Sequence, residues 1–251
     1  MEKFFNINEA GSSISCKLYC NDIRAVGRIV IYGHGFGGHK DNKAAQRFAE
    51  YVMKKHKDIA VITFNAPCHG DDVKKKLILD DCGKYISTVV KYAKERYKVE
   101  ELYSYSTSFG SYQILKYIAE NGNPFKKAAM RCPAVNMYDV LSAVIMNPAD
   151  IKALSRNKPV QVGFDRKIKV TQSFLDELKE ADLTKYDYRK YADDILILQG
   201  TADEVVSFDV VKAFTEDNSI RFIPMDGVDH RFQNPRVMDE AIKLITEFYG
   251  F

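Results

Sequence analysis

No stretch of this 251-residue chain reaches the roughly 18 apolar residues that a membrane-crossing helix needs. No apolar core follows the polar opening "MEKFFNINEAGSS", so a protein without a secretory leader is expected. Excess charge of one sign is lacking too: 37 Lys and Arg against 34 Asp and Glu leave a formal +3. That is too little for an electrostatic footprint on nucleic acid, and no basic stripe interleaved with aromatics is present. Cysteine is sparse and odd in number. Cys16, Cys20, Cys68, Cys82 and Cys132 contain one close pair, Cys16 and Cys20, and no second Cys/His pair completes a zinc site. All five are expected to be reduced thiols in a cytoplasmic protein. Internal repeats, low-complexity tracts and linkers are also missing. What remains is an ordinary globular composition, 46% hydrophobic and 28% charged, at a length suited to one large α/β domain or a domain with an insertion.

Apolar, β-rich runs recur along the chain: Arg28 to Gly35, Ile59 to Pro67, Glu101 to Ser108, Lys127 to Ala134, Asp194 to Thr201 and Ser219 to Gly227. They are nearly continuous rather than alternating, which suits strands covered on both faces. Helix-period segments lie between them at Lys43–Lys55, Leu79–Tyr97, Ser111–Asn121, Phe208–Glu216 and Pro235–Tyr249. This βαβα order predicts a mostly parallel central sheet with helices on both faces. The early "SSISCKLYC" predicts an antiparallel lead-in strand. One connection, Ala134 to Asp194, is twice the usual crossover unit of about 30 residues. It predicts a helix, a short hairpin around Gly163 to Arg166 and a second helix. The expected division is therefore a core of residues 1–134 and 192–251 with an insertion at 135–191. An insertion at the carboxyl end of a parallel sheet sits over the ligand crevice and is a candidate lid.

The stretch "STSFGS", Ser106 to Ser111, joins a predicted strand to a predicted helix. A nucleophile elbow needs small residues two before and two after the nucleophile, because the turn presses them against the neighbouring strand and helix. Ser106 and Gly110 occupy those places, so Ser108 is the candidate nucleophile, while Ser104, Ser106 and Ser111 read as packing or helix-start residues. The chain order for this geometry is Ser, then an acid, then His. "DILILQGTADEVV" supplies Asp203 just beyond a buried strand. "IPMDGVDHRF" supplies His230, the only one of the five histidines downstream of that strand. Asp226 and Asp229 are rival acids, but Asp203 follows a strand, from which a fixed carboxylate can face His230. The glycine-rich "HGFGG" after "RIVIY" lacks both phosphate-binding fingerprints. It offers backbone N–H groups instead, and the N–H groups of Phe36 and Phe109 are the expected oxyanion donors. His34 reads as a structural hydrogen-bonding residue.

With "HGFGG", "NAPCHGDD", "STSFGS", "LQGTADEVV" and "GVDHRF" in hand, the chain resembles the α/β-hydrolase superfamily from about Arg28 to its end, the insertion excepted. Within it, the chain is similar to the serine aminopeptidase-like and feruloyl (cinnamoyl) esterase branch, with Asn65 where that branch has Asp. The resemblance implies an α/β-hydrolase fold with a small lid and hydrolysis of small or aromatic acyl esters through a Ser108–His230–Asp203 triad and an acyl-enzyme. Tyr138, Phe164 and Phe174 of the insertion are candidate substrate contacts. No cofactor, metal, nucleic acid or membrane is expected, only a small-molecule ester. The alternatives are a peptidase or thioesterase with the same triad, or a catalytically silent binding protein on the same fold.

Overall fold

The computed structural model describes residues 1–9, 12–164 and 166–251. In chain order its strands are β1 (Glu2–Glu9), β2 (Ser12–Tyr19), β3 (Arg28–Gly33), β4 (Ile59–Phe64), β5 (Glu101–Thr107), β6 (Lys127–Arg131), β7 (Val160–Val162), β8 (Ile168–Val170), β9 (Ile195–Gly200) and β10 (Arg221–Met225). Its helices are α1 (Lys43–Lys55), α2 (Leu79–Tyr97), α3 (Phe109–Asn121), α4 (Met137–Asp139), α5 (Pro148–Leu154), α6 (Gln172–Glu180), α7 (Phe208–Asp217) and α8 (Pro235–Tyr249).

Eight strands form one sheet in the order β1-β2-β4-β3-β5-β6-β9-β10. The six from β4 to β10 are parallel, and β2 joins them antiparallel, with β1 antiparallel on its outer edge. Every residue of β4 and β9 is buried, which is why these runs are continuously apolar. Alternate side chains then sort to two faces. Val30, Tyr32, Leu196 and Leu198 pack with Phe48 and Val52 of α1 and Ile242 and Ile245 of α8. Ile29, Ile31, Ile195 and Ile197 pack with Val89 of α2, Ile114 of α3 and Phe214 of α7. Each such fully buried side chain contributes about 1.5–3 kcal/mol. Local signals fix the helix ends: Asn42 accepts from the Ala44 and Ala45 N–H groups at the start of α1, and Asn234 with Pro235 opens α8.

Strand β3 has β4 on one side and β5 on the other. The chain therefore turns opposite ways after β3 and β5, and a crevice opens at their carboxyl ends. The loop after β3 and the Ser108 turn both face it.

Two segments differ from the sequence reading. Strand β1 was not expected: it is an edge strand with Ile7 as its one buried residue, so no apolar run marks it. In the 135–191 segment, α4 runs into a π-helical turn at Val140–Ile145, and a further helix, α5, precedes the hairpin. Asn147 and Asp150 form a capping box that starts α5. Strands β7 and β8 pair antiparallel as far as Val162 with Ile168; Asp165, inside the expected hairpin turn, lies outside the described residues. All five cysteines are free. No helix among the described residues is long and apolar enough to cross a membrane.

Candidate active site

Ser108 sits between β5 and α3 with φ 52° and ψ −119°. This is a costly conformation for a side-chain-bearing residue, on the order of 1–3 kcal/mol, and it lifts the side chain above the sheet edge. The small neighbours follow from contact distances. A Cβ on Gly110 would lie 2.5 Å from the Gly33 carbonyl carbon and oxygen and 2.6 Å from the His34 oxygen. Gly33 pairs with Ser106 across the strands, and a Cβ on Gly33 would be 3.2 Å from that of Ser106. Ser104, Ser106 and Ser111 are fully buried, and Ser106 Oγ donates to Ser111 Oγ at 3.1 Å.

Asp203 lies in the turn after β9, and its side chain is shielded from solvent. Its Oδ1 accepts from the N–H groups of Val205 at 2.9 Å and Val206 at 2.8 Å. Its Oδ2 accepts from Gln199 Nε2 at 2.9 Å and is 2.8 Å from His230 Nδ1. Burial would raise the Asp203 pKa, but the His230 hydrogen bond and charge and the Val206 N–H outweigh it, and the carboxyl is held below its ordinary value. His230 is in the loop between β10 and α8. A carboxylate only accepts, so the shared proton sits on Nδ1 and Nε2 is left as an acceptor. That Nε2 is 3.1 Å from Ser108 Oγ. The two loops are stitched together: Ala202 N–H donates to Val228 O at 3.1 Å, and a Cβ on Gly200 would lie 2.1 Å from that same oxygen.

The structure thus brings Ser108, His230 and Asp203 into one hydrogen-bonded row. The rival acids are engaged elsewhere. Asp229 accepts from the Arg231 N–H at 2.7 Å, and Asp226 accepts from Thr201 Oγ1 at 3.3 Å.

The Gly35–Gly38 turn after β3 is closed by a 2.9 Å bond from Gly38 N–H to Gly35 O. A Cβ on Gly35 would be 3.9 Å from Ser108 Oγ, so the Phe36 peptide starts beside the serine. Phe109 opens α3, and its N–H has no intrahelical acceptor. The Phe36 and Phe109 rings meet edge-on at 5.6 Å. His34 holds the turn. Its Nε2 accepts from the Ala66 N–H at 3.1 Å, so Nδ1 carries the proton and donates to Gly35 O at 2.9 Å. Burial pushes its pKa down to about 3, and His34 is a neutral strut.

A cleft of about 1130 Å³ has Ser108 and His230 in its wall, with Phe36, Phe164, Arg131 and Met238 among its other residues. Of the three aromatic candidates, half-exposed Phe164 lines this cleft. Phe174 is buried with its ring against Phe109 at 6.3 Å, and Tyr138 packs on the core with Lys179 over its ring. Sequence reading missed Gln199 and Arg131, although each is a polar residue inside an apolar strand run. Cys132, read from the sequence as a reduced thiol, lies beside the site: its thiol, the Asp203 carboxylate and the His230 ring offer ligand atoms within 4.8 Å of one another. Asp203 Oδ2 and His230 Nδ1 of this trio are bonded to each other.

No protein-family model matches the chain, and no curated protein does. Solved structures do match over nearly the whole length. Est1E from Butyrivibrio proteoclasticus with bound ferulic acid is 19% identical, with a TM-score of 0.75 over 98% of this chain and 100% of that one. A putative hydrolase from Agrobacterium vitis S4 is 15% identical, with a TM-score of 0.77 over 99% and 98%. This chain has the α/β-hydrolase fold. Mouse alpha/beta hydrolase domain-containing protein 10 also superimposes, at 12% identity and a TM-score of 0.73 over 99% and 98%. On this fold Ser108 follows β5, Asp203 follows β9 and His230 follows β10.

Proposed function

We propose that the protein is a serine hydrolase of carboxylic esters with small or aromatic acyl groups. The observation that carries this reading is the row Ser108 Oγ, His230 Nε2, His230 Nδ1, Asp203 Oδ2, with its 3.1 and 2.8 Å links. In the proposed reaction His230 takes the Ser108 proton as Oγ attacks the ester carbonyl. Asp203 holds the Nδ1–H tautomer and stabilises the imidazolium. The Phe36 and Phe109 N–H groups stabilise the oxyanion, a contribution of about 3–4 kcal/mol per donor in measured cases. His230 then protonates the departing alcohol, the acyl group remains on Ser108, and His230 activates water for deacylation. Residues 135–191 act as a lid, with Phe164 over the cleft. The aromatic acyl preference draws support from Phe36 and Phe164 in the cleft and from the ferulic acid held by Est1E. The test is a panel of p-nitrophenyl and hydroxycinnamoyl esters assayed with the purified protein and with a form whose 135–191 segment is replaced by a short loop. Ester turnover with a changed acyl profile in the shortened form is expected. No turnover on any ester would overturn the esterase reading, and an unaltered profile would overturn the lid.

A further inference from the structure

Arg131 ends β6 opposite Thr107 of the adjacent β5, and its carbonyl accepts from the Ser108 N–H at 3.0 Å. The residue is 4% exposed. No carboxylate among the described residues is within ion-pairing distance of it. Its Nη1 donates to Met238 Sδ at 3.0 Å and its Nη2 to Thr107 Oγ1 at 3.4 Å, while the guanidinium lies over the Phe232 ring at 4.8 Å. Its Nε is buried with no partner, and so is the hydroxyl of Tyr105. A thioether is a weak acceptor and the hydroxyl is distant; Asp229 acts on the guanidinium only from beyond ion-pairing distance, and a buried cation without a contacting counter-charge is costly. Arg131 lines the same cleft as Ser108 and His230, together with Lys43 and Arg166.

We propose that Arg131, with Thr107 beside it, is an anion subsite of this cleft that takes the carboxylate of the ester substrate. The substrate is then a half-ester or a carboxyaryl ester rather than a neutral one. This rests on the serine-hydrolase reading for its chemistry, but not for its binding. The ligand has one negative charge because one buried guanidinium has no carboxylate in contact among the described residues; a phosphate dianion would bring a second charge with no buried cation to meet it. The Phe232 ring covers one face of the guanidinium; a planar carboxylate would displace the Met238 and Thr107 contacts and pair edge-on, the geometry in which arginine binds best.

The test compares kcat/KM for two matched pairs. p-Nitrophenyl hemiglutarate against p-nitrophenyl pentanoate places the charge on the acyl side; 4-carboxyphenyl acetate against phenyl acetate places it on the leaving side. One pair should favour the charged ester by at least about tenfold, as expected for a hydrogen-bonded charge. That ratio should fall towards one in Arg131→Met, through KM, and recover in part in Arg131→Lys. A wild-type ratio at or below one in both pairs overturns the proposal, whether or not the variants fold. So does a preference that survives Arg131→Met. Calorimetry with benzoate and monomethyl glutarate on Ser108→Ala gives a readout free of turnover. Binding weakened by added chloride supports the subsite, and no binding of either anion overturns it. Binding without hydrolysis of any ester supports the subsite and overturns the serine-hydrolase reading alone.

Discussion

Replacing Asp203 by Asn changes one atom of the proposed triad, and the groups around that atom set the cost. Oδ1 is held by the Val205 and Val206 N–H groups, so the substituted side chain must keep its carbonyl there and turn its NH2 to the Oδ2 position. That position faces two donors, Gln199 Nε2 and His230 Nδ1. Gln199 can turn its own oxygen inward, at the loss of its bond to Val206 O. His230 can answer only by moving its proton to Nε2, where it points at Ser108 and cannot accept the serine proton. In a serine protease with the same triad this exchange costs about 10⁴ in turnover, equivalent to about 5.4 kcal/mol of barrier. Asp229→Asn should cost less than about tenfold, since its carboxylate serves a loop turn and acts on His230 only through a screened field. The assay is kcat on an activated ester for wild type and both variants, with circular dichroism to verify folding. Equal losses, or a larger loss at Asp229 or Asp226, would refute the reasoning.

Gly110→Ala drives a methyl into the Gly33 backbone at 2.5 Å and should cost about 3 kcal/mol, a fall in Tm on the order of 10 °C by calorimetry; an unchanged Tm contradicts the packing account of the elbow. Burial pushes the His34 and His69 pKa values down to about 3 and about 4, against about 6.5 in an unfolded chain. The unfolded chain therefore binds more protons than the folded one between about pH 6.5 and 4, and stability must fall as pH drops through that window and stay level above it. Urea midpoints measured from about pH 8 to 4.5 check this, and a flat profile below about pH 6.5 would contradict neutral burial.

Much of the fold was legible because its signals are local. Helices α1 and α2 have the limits that their 3.6-residue periodicity and flanking residues indicate. The Ser108 turn could be found because steric demand at positions 106 and 110 writes itself into residue type. Asp203 and His230 were located by chain order at strand ends, although their mutual distance is a tertiary property. Strand β1 escaped because an exposed edge needs no apolar run. Gln199 and Arg131 escaped because what a buried polar side chain meets is decided by other strands and helices: Asp203 and Val206 for one, Thr107 and Met238 for the other. Phe174 illustrates the converse. An aromatic residue in the insertion reads as a substrate contact until the packing of its ring on Phe109 is seen.

The central claim is that Ser108 is the nucleophile, and a fluorophosphonate probe followed by peptide mass spectrometry tests it most directly. The probe forms a stable adduct only where a serine is activated by a neighbouring base. The expected result is a single adduct on Ser108 in the wild-type protein and none in Ser108→Ala. An adduct on Ser106, Ser111 or any other residue, or labelling that survives Ser108→Ala, would contradict the account.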